Sequence, residues 1–226
     1  MPDLRHGLGA LQSPPDERDY LIEALYAARG LTATAALPAT YVVPLRPPIL
    51  NQKNTPMCVA YSSSSMKSYQ DRDDQSPAKW WNFDEALFFR AIGGNSNGAI
   101  LRNAMDRLLK VGYSVVGGAS PASAHKIKAY YAVPTNAAAL KAAIHDLGEI
   151  VLATPWYNSW FDPVAYVLPR PDYAVGGHAI VADGWNDSRG LRLRNSWGGG
   201  WGYNGDCFLP YAYLGAIWEA WKTQDS

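Results

Sequence analysis

Apolar and polar positions divide the 226-residue chain into stretches of different character. The first, to about residue 48, is broken by Pro2, Pro14, Pro15, Pro38, Pro44, Pro47 and Pro48. That pattern predicts an extended arm with one helical possibility over residues 20–29. From Cys58 onward Val59, Ala60, Met66 and Tyr69 alternate with small residues, and no proline intervenes until Pro77. This predicts a helix, and Thr55-Pro56 just upstream suits its start, so Cys58 falls in the first turn. Two more helices are predicted over residues 84–92 and 100–111; in the second, Leu101, Met105, Leu108 and Leu109 recur at helical spacing and Gly112 supplies the stop.

After Gly117-Gly118 the period shortens. A helix over residues 137–147 precedes the continuous apolar run Ile150, Val151, Leu152, Ala153, which reads as a buried strand. Residues 179–185 and 191–196 read as a strand pair joined by Asn186, Asp187, Ser188, Arg189 and Gly190, turn formers that invite an antiparallel hairpin. Such a hairpin carries His178, at the start of one strand, toward Asn195, at the end of the next. The glycine-rich residues 198–205 suit a tight loop before a strand over residues 206–210. The expected organisation is α+β: an arm over residues 1–40, a helical lobe over 41–115 that carries Cys58, and a strand-rich lobe over 116–226 that carries His178 and Asn195.

Composition narrows the function classes. With 48% hydrophobic and 18% charged residues the chain has enough apolar material for a packed core. Lys plus Arg is 20 and Asp plus Glu is 20, so no overall field recruits nucleic acid or anionic lipid, and neither is expected as a partner. Proline and charge break the first twenty residues, which lack a signal-type apolar core; no run approaches the ~20 apolar residues of a membrane span, and a cytoplasmic location is the default expectation. Cys58 and Cys207 allow at most one bridge, and Cys207 reads as a small core residue. His6, His125 and His145 read as solvated or capping residues, because no pair has metal-ligand spacing with a third ligand; no metal or other cofactor is expected. Asp71 to Asp74 lacks the glycine and closing glutamate of a calcium loop and reads as a solvated turn.

Four features remain: Asn51-Gln52, Cys58 opening a helix, Gly176-Gly177-His178-Ala179, and Asn195-Ser196-Trp197-Gly198 followed by a Gly-Trp-Gly sequel. Their order and the six-residue step from Gln52 to Cys58 resemble the papain-like cysteine peptidases over residues 41–211. The resemblance implies a papain-like fold, with a helical lobe and a β-barrel-like lobe, an active site in the cleft between them, and a protein or peptide substrate. It implies that Cys58 is the nucleophile, His178 the acid–base group, Asn195 the group that orients the ring, and Gln52 an oxyanion donor beside the Cys58 backbone N–H. A helix N-terminus and a nearby imidazolium both favour a thiolate, which is the physical reason for that pairing.

The resemblance also points to the glycine-rich stretch over residues 93–98, Gly93 and Gly94 foremost, as the segment that lies along substrate backbone, and to Gly177 and Trp197 as further substrate-binding residues. Departures are present: the upstream structural cysteine is missing and Val59 follows the nucleophile where the family has tryptophan. Cys58 also falls too early for a long inhibitory prosegment, so latency of that kind is not expected. Acyl-enzyme chemistry does not specify the acceptor, so a papain-like amidase or transferase on isopeptide or peptidoglycan amides stands as an alternative. The nine tryptophans and fourteen tyrosines leave open an inactive papain-like binding or structural protein.

Overall fold

The structure is a computed structural model and describes residues 6–17, 19–30, 32, 36–73 and 79–225. Parts of the arm and Asp74 and Pro77 lie outside the described residues. In chain order the elements are β1 (Ala10–Leu11), α1 (Ile22–Ala28), β2 (Thr40–Val42), α2 (Cys58–Asp73), α3 (Glu85–Ala91), β3 (Ala99–Ile100), α4 (Leu101–Lys110), β4 (Ile127–Ala132), α5 (Ala137–Leu147), β5 (Ile150–Tyr157), β6 (Ala174–Asn186), β7 (Gly190–Arg194), β8 (Asp206–Leu209) and β9 (Glu219–Asp225).

Local chemistry sets the helix ends. Asp84 and Asn136 precede α3 and α5, and their side chains accept from the N–H groups of Leu87 and Ala139 at 2.8 and 3.0 Å. Such caps satisfy donors that have no partner inside the helix. Gly148 ends α5 at φ +86°, a backbone angle that favours glycine.

The large sheet runs β4-β9-β5-β6-β7-β8, with β2 added beside β6. Every pairing in it is antiparallel. The apolar run in β5 is buried on both faces. Ile150 and Leu152 join one core with α5, Trp156, Trp185 and Leu193; Val151 and Ala153 join a second core with α2, α3 and α4. In β6, Ile180 and Ala182 face the first core and Ala179 and Val181 the second. The two-residue period of a strand thus fastens both lobes to one sheet.

In the second half of the chain, β4 and β9 fall where the sequence pattern predicts no strand. β9 lies between β4 and β5, and it buries Lys222 and Thr223. Polar groups of α2 meet this edge: Gln70 Nε2 donates to Thr223 Oγ1 at 2.7 Å and to its carbonyl at 2.9 Å, and Lys67 Nζ pairs with Asp225. Asp71 and His125 are corrections to the sequence reading. Both are buried, with His125 Nδ1 2.5 Å from Asp71 Oδ2 and Lys67 Nζ 2.5 Å from Asp71 Oδ1. Among the described residues no helix is long and apolar enough to cross a membrane.

Candidate active site

Cys58 is the first residue of α2 and is fully buried. His178 lies in β6, and the β6–β7 hairpin pairs Val181 with Arg194. Asn195, which follows β7, therefore arrives beside His178. The His178 Nε2 lies 2.8 Å from Asn195 Oδ1, and the Asn195 oxygen also accepts the Ser196 N–H at 2.8 Å. With Nε2 held by the amide, Nδ1 is the nitrogen left for chemistry; it has no hydrogen-bond partner among the described residues.

Gln52 is fixed from several sides. The Thr55 hydroxyl donates to its carbonyl at 2.6 Å, and its own N–H donates to the Ser196 carbonyl at 2.8 Å. Lys53, at φ +57°, turns the chain there, and its N–H donates to Asn51 Oδ1 at 2.8 Å. Further back, Arg194 Nη2 donates to the Pro47 carbonyl, fastening the loop that leads to Gln52 onto the strand that leads to Asn195. The Gln52 Nε2 donates to Thr55 O at 2.8 Å and to Gly7 O at 3.1 Å.

That last contact belongs to the arm. Residues 6–9 lie against Cys58, His178 and Gln52. Gly7 N–H donates to Lys53 O at 3.2 Å, Gly9 N–H to Gly177 O at 2.9 Å, and Ala99 N–H to Gly9 O at 2.8 Å. β1 then pairs in parallel with β3. His6 stacks on Trp197 with ring centroids 4.5 Å apart and planes within 8°. The fit needs glycine: a Cβ on Gly7 would lie 2.0 Å from Thr55 O, and one on Gly9 would lie 2.2 Å from Pro56 O. One expectation is corrected here: His6 is packed on an aromatic face.

Burial dominates the electrostatics while the arm is seated. The Cys58 thiol is pushed up to about 11 by desolvation, against the pull of backbone hydrogen bonds from Ala179, Gly9 and Val59. His178 is pushed down to about 4 by desolvation; the Asn195 bond works the other way, and the charge of His6 adds to the lowering. Both shifts favour the neutral forms, thiol and imidazole, while the arm is seated. Trp156 and Trp197 wall the His178 ring, at 4.8 and 4.6 Å between centroids. Trp156 and Trp160 are fully buried, whereas Tyr157 is half-buried.

Of the eight residues singled out in the sequence, Cys58, His178, Gln52, Gly177 and Trp197 gather around arm residues 6–9, and Asn195 is bonded to His178. Gly93 and Gly94 do not meet the arm. Gly93 has open space where a Cβ would stand, and Gly94 faces Phe89; the arm backbone meets Gly98 and Ala99 instead. A Cβ on Gly98 would lie 1.9 Å from Gly9 O. Gly98 lies in the same glycine-bearing loop, and its place directly before an apolar helix start is the signal that separates it from the other two. Among the described residues no cluster of metal-ligating side chains is present.

Comparison with known proteins follows this geometry. No protein-family model matches the chain. It is 44% identical over 41 residues to an uncharacterized peptidase C1-like protein of Acanthamoeba polyphaga mimivirus, which is 18% of this chain and 13% of that protein. It is 35% identical over 79 residues to a gut-specific cysteine proteinase of Caenorhabditis elegans, 33% of this chain and 24% of that protein. The match thus spans a quarter or less of either curated relative. Among solved structures, xylellain, a cysteine protease from Xylella fastidiosa, superposes with a TM-score of 0.79 at 23% identity, over 98% of this chain and 97% of that one. The hairpin that joins His178 to Asn195, the helix that opens on Cys58 and this superposition agree on the α+β, papain-like fold of the cysteine proteases.

Proposed function

We propose that the chain is a cysteine peptidase in which Cys58 and His178 hydrolyse peptide bonds through an acyl-enzyme. Once the arm leaves, water reaches the pair and the penalty on charge falls. The thiol proton passes to His178 Nδ1, aided by the α2 N-terminus. The sulfur bonds to the substrate carbonyl carbon, and the oxygen takes the charge. Gln52 Nε2 and the Cys58 N–H receive that oxygen, each such donor lowering a barrier by ~2.7–4 kcal/mol. His178 gives its proton to the leaving nitrogen as the C–N bond breaks. Water, deprotonated by His178, then cleaves the thioester and restores the thiol.

The observation that carries this reading is the placement of Gly7 and Gly9. A peptide carbonyl occupies the Gln52 amide while a peptide N–H occupies the Gly177 carbonyl, with the thiol against Gly9. A substrate backbone takes the same partners, with Gly98 and Ala99 on one side and Gly177 and Trp197 on the other. The seated arm is therefore a block, and its release precedes turnover.

The test is a fluorogenic peptide assay on the chain carrying Gly9→Val, a change that forces the arm away from Pro56. Turnover is expected, abolished by Cys58→Ala and by His178→Ala, and reduced less by Asn195→Ala, because an orienting group contributes less than the acid–base group. Turnover that survives Cys58→Ala overturns the nucleophile. A free carboxylic acid is the expected product even with added amines; transfer to the amine identifies a transferase.

A further inference from the structure

We propose that Trp156 is a positioning residue that holds the plane of the His178 imidazole. This rests on the reading of His178 as the acid–base group. β5 and β6 set Thr154 opposite His178 and Trp156 opposite Gly176, so Trp156 and His178 are diagonal neighbours on one face of the sheet. Glycine at 176 puts no side chain beside them, and the two rings meet with centroids 4.8 Å apart and planes 71° from each other. Trp197 meets the same imidazole at 4.6 Å and 34°. The hydrogen bond between His178 Nε2 and Asn195 Oδ1 fixes one atom of the ring and leaves the ring free to pivot about it. Two aromatic surfaces at different angles oppose that pivot, so Nδ1 keeps one direction. Trp156 is braced in turn, edge to face with Trp197 at 5.1 Å and with Trp160 at 5.4 Å. Its own N–H has no acceptor among the described residues, whereas the Trp160 and Trp201 indoles donate to the Pro169 and Phe161 carbonyls at 3.0 and 2.8 Å. No hydrogen bond anchors the Trp156 indole, so ring packing alone holds it, and one of the rings it packs on is the imidazole.

A loosened imidazole still lets substrate bind, but its proton no longer lies on the line to the leaving nitrogen, and a misplacement of ~1 Å costs about a hundredfold in rate. The experiment measures kcat and KM for a fluorogenic peptide with Trp156→Leu, Trp156→Phe and Trp160→Leu, all in the full chain carrying Gly9→Val, well below the unfolding temperature and with active sites counted by titration with a thiol-directed epoxide. Trp160 is the control: it is as buried as Trp156 and belongs to the same core, but its ring partners are Trp156 and Tyr157. Trp156→Leu is expected to lower kcat per active site about tenfold to a hundredfold with KM changed less than about twofold. Trp156→Phe, which keeps an aromatic face of smaller reach, is expected to lose only about threefold, and Trp160→Leu to stay within about twofold of the parent. An equal loss in Trp156→Leu and Trp160→Leu, an unchanged kcat in Trp156→Leu, or a change confined to KM overturns the proposal. Should Trp156→Leu fail to fold, Trp156→Phe carries the test: a lower kcat at unchanged KM supports the proposal and the parent's kcat refutes it. Absence of turnover in the Gly9→Val parent is a different result, which overturns the proposed function.

Discussion

The arm and β9 are both extended segments laid against the rest of the fold, yet they are held in opposite ways. β9 runs between two other strands, pairs along its length and adds the buried Trp221 to the helical-lobe core. Ahead of α1, whose Ile22, Leu25 and Tyr26 anchor the arm in the first core, residues 6–19 pair over two residues and otherwise rely on point contacts: Ser13 to Glu219 at 2.7 and 2.8 Å, and the Asp19–Arg102 ion pair. Their closest approach uses glycines, which bury little apolar surface. A segment that buries side chains belongs to the folded state. One that is threaded through by its backbone can leave while the fold persists.

The contrast can be broken most forcefully at β9. Trp221→Ala is expected to cost about 3–5 kcal/mol of stability, read by denaturant unfolding. Lys67→Met, which leaves Asp71 and Asp225 without their cation, is expected to cost about 3 kcal/mol by the same measurement. Gly9→Val, by comparison, is expected to raise the initial peptidase rate at least tenfold with the unfolding midpoint almost unchanged; a stability loss as large as that of Trp221→Ala would erase the distinction.

Acid sharpens the comparison further. His178 is held at about 4 with the arm seated and returns toward its ordinary 6.5 when water reaches it. Below about pH 6.5 the released state binds the extra proton, so release is favoured increasingly as pH falls toward 4, and this contribution is absent above about pH 7. Hydrogen exchange at Gly9, corrected for intrinsic rates, is expected to accelerate over that interval relative to β9 amides. The smallest effect belongs to Ser13→Ala, which is expected to ease arm release by about 1 kcal/mol, seen as a severalfold higher resting rate.

What the sequence discloses and what it conceals follow the same division. The hairpin that brings His178 to Asn195 is legible because turn formers and two apolar runs lie within twenty residues of each other. α2 and the caps at Asp84 and Asn136 are legible for the same local reason. β9 is concealed, because Lys222 and Thr223 look like solvated residues until Gln70 and Lys67 arrive from a helix some 150 positions earlier. His125 and Asp71 deceive in the same way: each is polar alone and buried together. The arm's destination depends on a backbone-to-backbone fit at Thr55 and Pro56 that no side-chain pattern records. Within the glycine stretch over residues 93–98, Gly98 is the one that meets the arm, because the chain passes there into β3.

The burial of Cys58 also bears on how the protein endures an oxidising environment. Sulfenic and sulfinic acids form from an exposed thiolate, whereas burial beside Gly9 favours the protonated thiol and shields it from solvent. Cys207 is buried too, so among the described residues the resting chain offers peroxide no accessible thiol. On the proposed reading the arm is thereby also a preservative, keeping the Cys58 sulfur chemically intact until the moment it is uncovered.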